Sequence, residues 1–276
     1  MHENFIYENH LGQRFVGLDN GVFLNANELR DYSWSYDVIN NRISRFYHSV
    51  TTRKIPLLVC CPTAAEANKV RDKLLEVAEA DIDAMLPGKI YTGDYYTTGF
   101  ITGSKKKDYR THGRFCQIDL TLASPDPTWS REDVHVFGSS DSGVAASRSG
   151  FDFPFDYRYD YSVSTTSRQV VSNTIKPSKF KIRIYGEATD PAVMIGGHAY
   201  KVNGRIRAGE TLLIDSLNKT ITLTTATGSK INWFANRDRH DYIFEPIPPG
   251  INNVIYNGSF KFDLVVIEER SEPRWT

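Results

Sequence analysis

Alternation of apolar and polar positions dominates the chain and predicts β-strands. Near the start it runs through "NFIYENH", "RFVGLDNGVFLNA" and "YSWSYDVIN", with a hairpin turn expected at residues 19–21. From Phe180 onward, short strand-like runs follow one another, separated by turn signals such as Asn203-Gly204 and Thr227-Gly228. About six or seven short strands with this spacing predict an antiparallel β-sandwich.

The run "ETLLIDSLNKTITL" illustrates the predicted pairing within this sandwich. A turn at Asn218-Lys219 would join two strands whose apolar residues point into the core. The inward residues would be Leu212, Ile214 and Leu217 on the first strand, and Ile221 and Leu223 on the second.

One segment has helical periodicity instead. Residues 63–66, "TAAE", form a capping box, in which the Thr63 hydroxyl accepts from the third helical N–H and Glu66 reaches back. The apolar positions that follow share one face: Ala67, Val70, Leu74, Val77 and Ala78. We therefore predict an amphipathic helix over about residues 63–83 that lies against a sheet.

The segment after the helix predicts a long hairpin over residues 89–122. Its second arm, residues 114–122, alternates cleanly, and the sequence "GSKKKD" is expected at the tip. The three lysines there, Lys105, Lys106 and Lys107, admit two interpretations. They form a solvated turn, or they are an inter-subunit contact that meets an acidic patch on a neighbouring copy.

The distribution of small residues suggests two domains. Residues 139–150, "SSDSGVAASRSG", lose apolar content and gain serine and glycine, as in a linker. The predicted organisation is mostly β. An N-terminal β domain with one helix and the long hairpin covers residues 1–140, a linker covers 141–150, and the sandwich covers 151–276.

Composition narrows the classes of function. The 276 residues include 33 basic and 33 acidic side chains, so the chain lacks the cationic surplus of a general nucleic-acid binder. The three cysteines fit no zinc-binding spacing and are interpreted as buried reduced thiols. Neither a signal peptide nor an apolar run of the ~20 residues that span a bilayer is apparent, so we expect folding in a cytoplasm.

No motif for a catalytic, cofactor-binding or metal site stands out, so none is predicted. His240 lies between Asp238 and Asp241, where it could act as a base or a ligand, but the run is typical of an exposed loop. Trp233 in "KINWFANRDRH" is a candidate for stacking against a glycan ring, and burial in the core is the alternative.

Several segments, in this order, resemble the distal tail proteins of long-tailed siphophages that infect Gram-positive bacteria. In the N-terminal half the similar segment is "LPGKIYTGDYYTTGFITGS", and "FDFPFDYRYDYS" is similar to the stretch that opens the family's second domain. "KIRIYGEATDPAVMIGG", "ETLLIDSLNKTITL", "IPPGIN" and Trp275 in "EPRWT" resemble the family's C-terminal domain.

This resemblance implies a homohexameric ring at the distal end of the tail in the virion. The N-terminal domain would form the ring on the tail tube protein, and a galectin-like C-terminal sandwich would face outward. Partners would be the tail-associated hub or lysin protein and the receptor-binding or baseplate proteins. We expect the helix and the hairpin over residues 89–122 to contribute to the ring. The alternatives are a carbohydrate-binding adhesin that contacts host cell-wall glycans and a cell-wall hydrolase.

Overall fold

The computed structural model describes residues 4–107, 113–138 and 166–275, which are mostly β with one α-helix, as predicted. The chain forms two compact units. The first comprises Met1–Arg131 and Glu269–Thr276, and the second comprises Glu132–Glu268. The predicted linker at residues 141–150 lies outside the described residues, so the predicted domain boundary stays a prediction.

The first unit is an antiparallel assembly with a helix against it. Its strands are β1 (Ile6–Glu8), β2 (Arg14–Val16), β3 (Val22–Leu24), β4 (Ser35–Ile39), β5 (Arg42–Tyr47), β6 (Thr51–Cys60), β7 (Gly88–Thr92), β8 (Tyr95–Lys107) and β9 (Phe115–Ser124), followed by the start of β10 (Trp129–Phe137). Strand β8 pairs with β7 through its first half and with β9 through its second half. Strand β9 continues to β6 and β3, and β7 continues to β1 and β2.

The turn at residues 19–21 is present, but the predicted hairpin is wrong. A 3-10 turn covers Leu18–Asn20, and Gly21 has a φ of 67°. Strand β2 pairs with β1, whereas β3 pairs with β6. The two flanking strands are held by different neighbours, because Gly17 N donates to Phe5 O at 2.7 Å and Cys60 N donates to Gly21 O at 2.8 Å.

The helix α1 spans Ala64–Ala84 and confirms the prediction closely. The Thr63 hydroxyl accepts from Glu66 N at 3.2 Å. The five apolar residues predicted on one face are all buried, and Asp81 is buried with them. The helix ends where Met85 adopts a left-handed conformation, with a φ of 54°.

The hairpin of β8 and β9 confirms the second part of the hairpin predicted over residues 89–122, whereas the start of the predicted first arm is the separate strand β7, which pairs with β8 across its own tight turn. Buried and exposed residues alternate along β9, with Cys116, Ile118, Leu120 and Leu122 buried. The register shifts between Ile101 and Gly103, which marks a β-bulge. The three lysines are the last residues of strand β8 and do not lie in the turn that follows it. Lys105, Lys106 and Lys107 are opposite Asp119, Ile118 and Gln117.

The second unit contains the predicted antiparallel sandwich. Its strands are β11 (Thr166–Ser172), β12 (Lys179–Tyr185), β13 (Ala188–Thr189), β14 (Ala192–Ile195), β15 (His198–Lys201), β16 (Arg205–Ile206), β17 (Thr211–Asp215), β18 (Thr220–Thr224), β19 (Lys230–Asn232), β20 (Gly250–Tyr256) and β21 (Lys261–Arg270). One sheet has the order β19-β18-β17-β12-β21, and the other has the order β11-β20-β14-β15. A single apolar core draws residues from both sheets, including Ile182 and Leu264 from the first and Val193 and Val254 from the second.

The pairing predicted within "ETLLIDSLNKTITL" is confirmed except at one residue. Leu212 faces Leu223 and Ile214 faces Ile221, and all four are buried. Leu217 is 40% exposed, so its predicted inward position is wrong. It belongs to the turn, because the Asp215 carboxylate accepts from Leu217 N at 2.9 Å and holds the chain away from the strand path.

Candidate interaction surface

Strands β4 and β5 form a separate two-stranded hairpin in the first unit. Asn40 and Asn41 join the strands with φ values of 49° and 59°. Two consecutive residues with positive φ match the tight hairpin turn that follows the strand twist. The register shifts after Asp37, and Ser44 is the extra residue, with its hydroxyl donating to Asp37 O at 3.1 Å.

This register places four apolar side chains on one face of the hairpin. Tyr36 is opposite Phe46 and Val38 is opposite Ile43, and residues two apart on a strand share a face. Their exposed fractions are 56%, 58%, 57% and 52% in that order. A contiguous exposed apolar face on a two-stranded hairpin is unfavourable in water, which makes this face the candidate interaction surface.

The base of the hairpin is fixed by side chains on both flanks. The rings of Trp34 and His48 stack with centroids 3.9 Å apart and an interplanar angle of 33°. The hydroxyls of Ser35 and Ser49 are 2.6 Å apart. These contacts join the two arms of the hairpin at its base.

A groove of about 610 Å³ lies between α1 and strands β8 and β9 of the same unit. Its floor is apolar and includes Leu74, Ala78, Ile101, Ile118 and Leu120. Two further apolar side chains of α1 line it while partly facing solvent, Leu75 with 48% exposure and Ile82 with 40%. Charged groups also line the groove, with Asp72 and Glu79 on the helix and Lys106 on β8.

The structure separates the three lysines that the sequence groups together. Lys107 Nζ is 2.5 Å from Asp119 Oδ2, within the hairpin itself. The hydrogen bond from Lys107 lowers the pKa of the Asp119 carboxyl, with a smaller contribution from Gln117. Lys106 lines the groove and donates to Ser104 O at 3.4 Å. The role of all three as an inter-subunit contact stays a prediction.

Trp233, the candidate for glycan stacking, is half-buried and packs against the core of the sandwich. Its ring lies over Gly204, where an added Cβ would be 3.1 Å from the ring edge. The neighbouring Phe234 is 38% exposed, and the guanidinium carbon of Arg237 lies 4.1 Å from its ring centroid. Glycan binding by Trp233 stays a prediction, and the geometry gives its ring a packing role.

A buried cluster of hydrogen bonds connects the N-terminal strand to the end of α1. The Tyr7 hydroxyl donates to Asp81 Oδ2, and His10 donates to Asp81 Oδ1 from its backbone N at 2.8 Å, with its Nδ1 also 2.7 Å from that oxygen. Burial and the hydrogen bond to Asp81 raise the pKa of Tyr7 above its ordinary range, which keeps the phenol protonated as a donor. A methyl group on Gly88 would overlap both Asp81 and Tyr7.

The Tyr7, His10 and Asp81 side chains are of types that catalyse proton transfer, but their positions favour a structural role. Tyr7 and Asp81 are fully buried. The described residues contain no group of three histidine, cysteine or acidic side chains placed to bind a metal ion. Within the same residues, no helix has the length and apolar character needed to cross a membrane.

The β4–β5 hairpin is the feature that sequence reasoning missed. The segment "YSWSYDVIN" predicts a strand, but nothing in it shows that the strand has a single partner and an uncovered face. The available signal was the pair Asn40-Asn41 between two runs rich in aromatic and β-branched residues.

Comparisons with known proteins identify the fold. No family model matches the chain, and no curated protein matches it. Among solved structures it is similar to the SPP1 Dit (gp 19.1) protein, a paradigm of the hub adsorption apparatus in phages infecting Gram-positive bacteria. That match has a TM-score of 0.55 and 14% identity over 96% of this chain and 99% of that one.

Two further matches are chains of the phage P2 baseplate in its activated conformation. The form with Ca has a TM-score of 0.62 and 12% identity, over 99% of this chain and 100% of the other. The form with Sr has a TM-score of 0.62 and 11% identity, over 98% and 99%. The chain therefore has the fold of a phage Dit and baseplate protein over nearly its whole length.

Proposed function

We propose that this chain is a structural protein of a phage tail, in which copies form a ring at the distal end and act as a hub. The observation that carries the proposal is the uncovered apolar face of the β4–β5 hairpin, formed by Tyr36, Val38, Ile43 and Phe46. An exposed apolar surface of this kind supports a protein partner in the assembled state. The fold shared with SPP1 Dit and with chains of the P2 baseplate supports a partner within a tail.

The proposed ring consists of about six identical subunits, the number that the family resemblance implies. A ring needs a head-to-tail contact, in which one surface of each copy meets a different surface of the next. The zero net charge of the chain favours such self-association. The proposed partners are the tail tube protein on one side and the hub or lysin protein with receptor-binding or baseplate proteins on the other.

The proposed role is mechanical coupling and not catalysis. One cluster of acid–base side chains in the first unit is a buried hydrogen-bonded contact between the N-terminal strand and α1. It consists of Tyr7, His10 and Asp81. In the proposed setting the protein is synthesised in the host cytoplasm and is incorporated in the virion at the tail end. We also propose that the sandwich of the second unit is galectin-like, as the family resemblance implies.

The test combines electron microscopy with a mass measurement on the purified full-length chain. We expect negative-stain images to show rings with a central pore, and mass photometry to show a species of about six subunits. Antibodies against the chain should label the distal end of the tail on intact phage particles. A chain that stays monomeric at every concentration and does not label tails would contradict the proposal.

A further inference from the structure

We infer that ordered water binds inside the first unit, at a buried polar site formed by the neighbouring strands β6, β9, β8 and β10. Each strand contributes one polar side chain that is at most 1% exposed: Arg53, Ser124, Thr97 and Trp129. In each of these side chains one polar atom is buried and has no hydrogen-bond partner among the described residues. These atoms are Arg53 Nη1, Ser124 Oγ, Thr97 Oγ1 and Trp129 Nε1.

The strand register brings Thr97 and Trp129 side by side. Strands β8 and β10 are antiparallel, and Tyr96 on β8 is opposite Ser130 on β10. Thr97 and Trp129 therefore occupy the adjacent position of the same ladder. Both side chains point to the buried face of the sheet, where residues directly opposite are close neighbours.

Gly99 brings Ser124 to the same place. It lies two residues after Thr97 on β8, about 7 Å along the strand and on the same face. A Cβ on Gly99 would be 2.9 Å from Ser124 Oγ, so the glycine allows the hydroxyl of the next strand to approach its backbone. Thr97 and Ser124 thus lie on one buried surface of the β8–β9 ladder.

Arg53 reaches this surface from β6. It is opposite Leu122, two residues before Ser124 on β9. Its Nη2 donates to Pro127 O at 3.2 Å, which places the guanidinium beside the start of β10. Its Nε donates to Asp31 O at 3.2 Å, so Arg53 connects the segment before β4 to the segment before β10.

The charge of Arg53 makes its third nitrogen costly to leave unbonded. Burial lowers the pKa of the guanidinium, and the carboxylate of Asp31 at the surface opposes that shift. A buried charged group is retained where its donors are hydrogen-bonded. Nη1 therefore needs an acceptor in the interior of the unit.

The donors and acceptors of the site match those of water. Arg53 Nη1 and Trp129 Nε1 can only donate, whereas the hydroxyls of Thr97 and Ser124 can also accept. A water molecule accepts from two groups and donates to two others. Buried waters typically make about three hydrogen bonds to groups that the protein leaves unpaired, so the four atoms provide enough partners.

A buried carboxylate in the same part of the core favours water over an anion. Gly88 is directly opposite Gly99 in the β7–β8 ladder, and a Cβ on Gly88 would overlap the carboxylate of Asp81. Asp81 is fully buried. Its negative charge opposes that of Arg53 and would repel an anion bound nearby.

The first experiment removes single hydroxyls from the full-length chain. If water is bound, Thr97→Val and Ser124→Ala each take away one of its partners, and the unfolding temperature should fall by about 2–4 °C. The control is Thr220→Val, at an exposed position of β18, which should unfold like the wild type. Differential scanning calorimetry measures all three variants.

The opposite result is expected from a dry site. A buried hydroxyl without any partner destabilises the folded state, so its removal would raise the unfolding temperature or leave it unchanged. That outcome in both Thr97→Val and Ser124→Ala would overturn the inference.

Crystallography of the wild-type chain provides a second measurement. We expect an electron-density peak within hydrogen-bonding distance of Arg53 Nη1 and of at least one of the two hydroxyls. Crystals grown in bromide should show no anomalous signal at that peak. A bromide signal there would identify an anion site, and the absence of any peak would show that the site is dry. Either result would contradict the inference and leave the proposed hub role untouched.

Discussion

The rings of Tyr36 and Phe46 meet edge to face across strands β4 and β5, with centroids 6.2 Å apart and an interplanar angle of 62°. Aromatic pairs of this geometry are common inside protein cores, where burial provides most of their stabilisation. Here more than half of each ring faces solvent. The cross-strand pair orders the hairpin within a single copy, so a partner that covered its face would cost little further conformational entropy.

The first prediction concerns the local role of this pair. Phe46→Ala should speed amide hydrogen exchange over residues 35–47 because it removes the cross-strand contact of an isolated hairpin. The free energy of global unfolding of the monomer should change by less than about 0.5 kcal/mol, as for other exposed positions. Exchange mass spectrometry and denaturant titration measure the two quantities.

A substitution in the core provides the contrast. Phe5 is 1% exposed, and Phe5→Ala should lower the free energy of unfolding by about 3–5 kcal/mol. If Phe46→Ala were to destabilise the whole unit by a similar amount, the hairpin would be part of the core, and its role as a free arm would have to be abandoned.

Most of the local structure could be predicted because it depends on neighbours in sequence. The α1 helix follows from the Thr63 cap and its apolar face, and β9 follows from its strict alternation. Both patterns show which residues are buried. For a strand or helix with one buried face, that periodicity is enough to predict the element.

The errors arise where the partner of a strand is distant in sequence or where a side chain captures the backbone. The turn at residues 19–21 looks like a hairpin, but β2 and β3 find different neighbours in β1 and β6. Leu217 is apolar, but it lies three residues after Ile214 and so out of phase with the strand, and the Asp215 carboxylate accepts from its backbone N–H within a turn. The β4–β5 hairpin was missed because a sequence pattern predicts its strands but does not show that one of their faces is exposed.

A second prediction follows from the pKa of Tyr7. Burial and the bond to Asp81 raise this pKa above its ordinary value near 10. The contribution of a group whose pKa is raised on folding is fully present below the unfolded pKa and is lost as the pH rises toward the folded one. The free energy of unfolding should therefore fall above about pH 10, by about 1.4 kcal/mol per pH unit for each such group.

The variant Tyr7→Phe separates this effect from general alkaline denaturation. It should lower stability at pH 7 by about 1.5–3 kcal/mol through loss of the hydrogen bond to a buried carboxylate, and it should flatten the decline above pH 10. The matched control is Tyr242→Phe, in which a tyrosine that is 53% exposed loses its hydroxyl. Equal slopes for Tyr7→Phe and the wild type in urea titrations at pH 9, 10 and 11 would show that Tyr7 is not responsible.

A third prediction distinguishes the lysines of β8. Lys105→Glu/Lys106→Glu should raise the concentration needed for half-maximal ring assembly by about two- to fivefold, the effect of an exposed ion pair or two. This shift should shrink at high salt because exposed charges are screened. Lys107→Glu should instead increase hydrogen exchange in β8 and β9, since Lys107 pairs with Asp119 within its own chain. Assembly that is unchanged in the double variant at low salt would exclude Lys105 and Lys106 from the contact.

The last prediction concerns Trp233, whose two expected roles lead to different results. As a half-buried ring packed over Gly204, it should contribute to stability, and Trp233→Ala should lower the free energy of unfolding by about 2–3 kcal/mol. As a glycan platform, it should contribute to affinity, and the same variant should lose binding to cell-wall polysaccharides on a glycan array.

Phe234→Ala is the control, because this neighbouring ring is more exposed and carries Arg237 above it. We expect Trp233→Ala to be destabilised more than Phe234→Ala, and the array responses of both variants to equal that of the wild type. Both proteins must be assayed below their unfolding temperatures, so that a lost response cannot come from unfolding. A polysaccharide bound by the wild type and by Phe234→Ala, but not by folded Trp233→Ala, would give the sandwich an adhesive role in addition to its structural one.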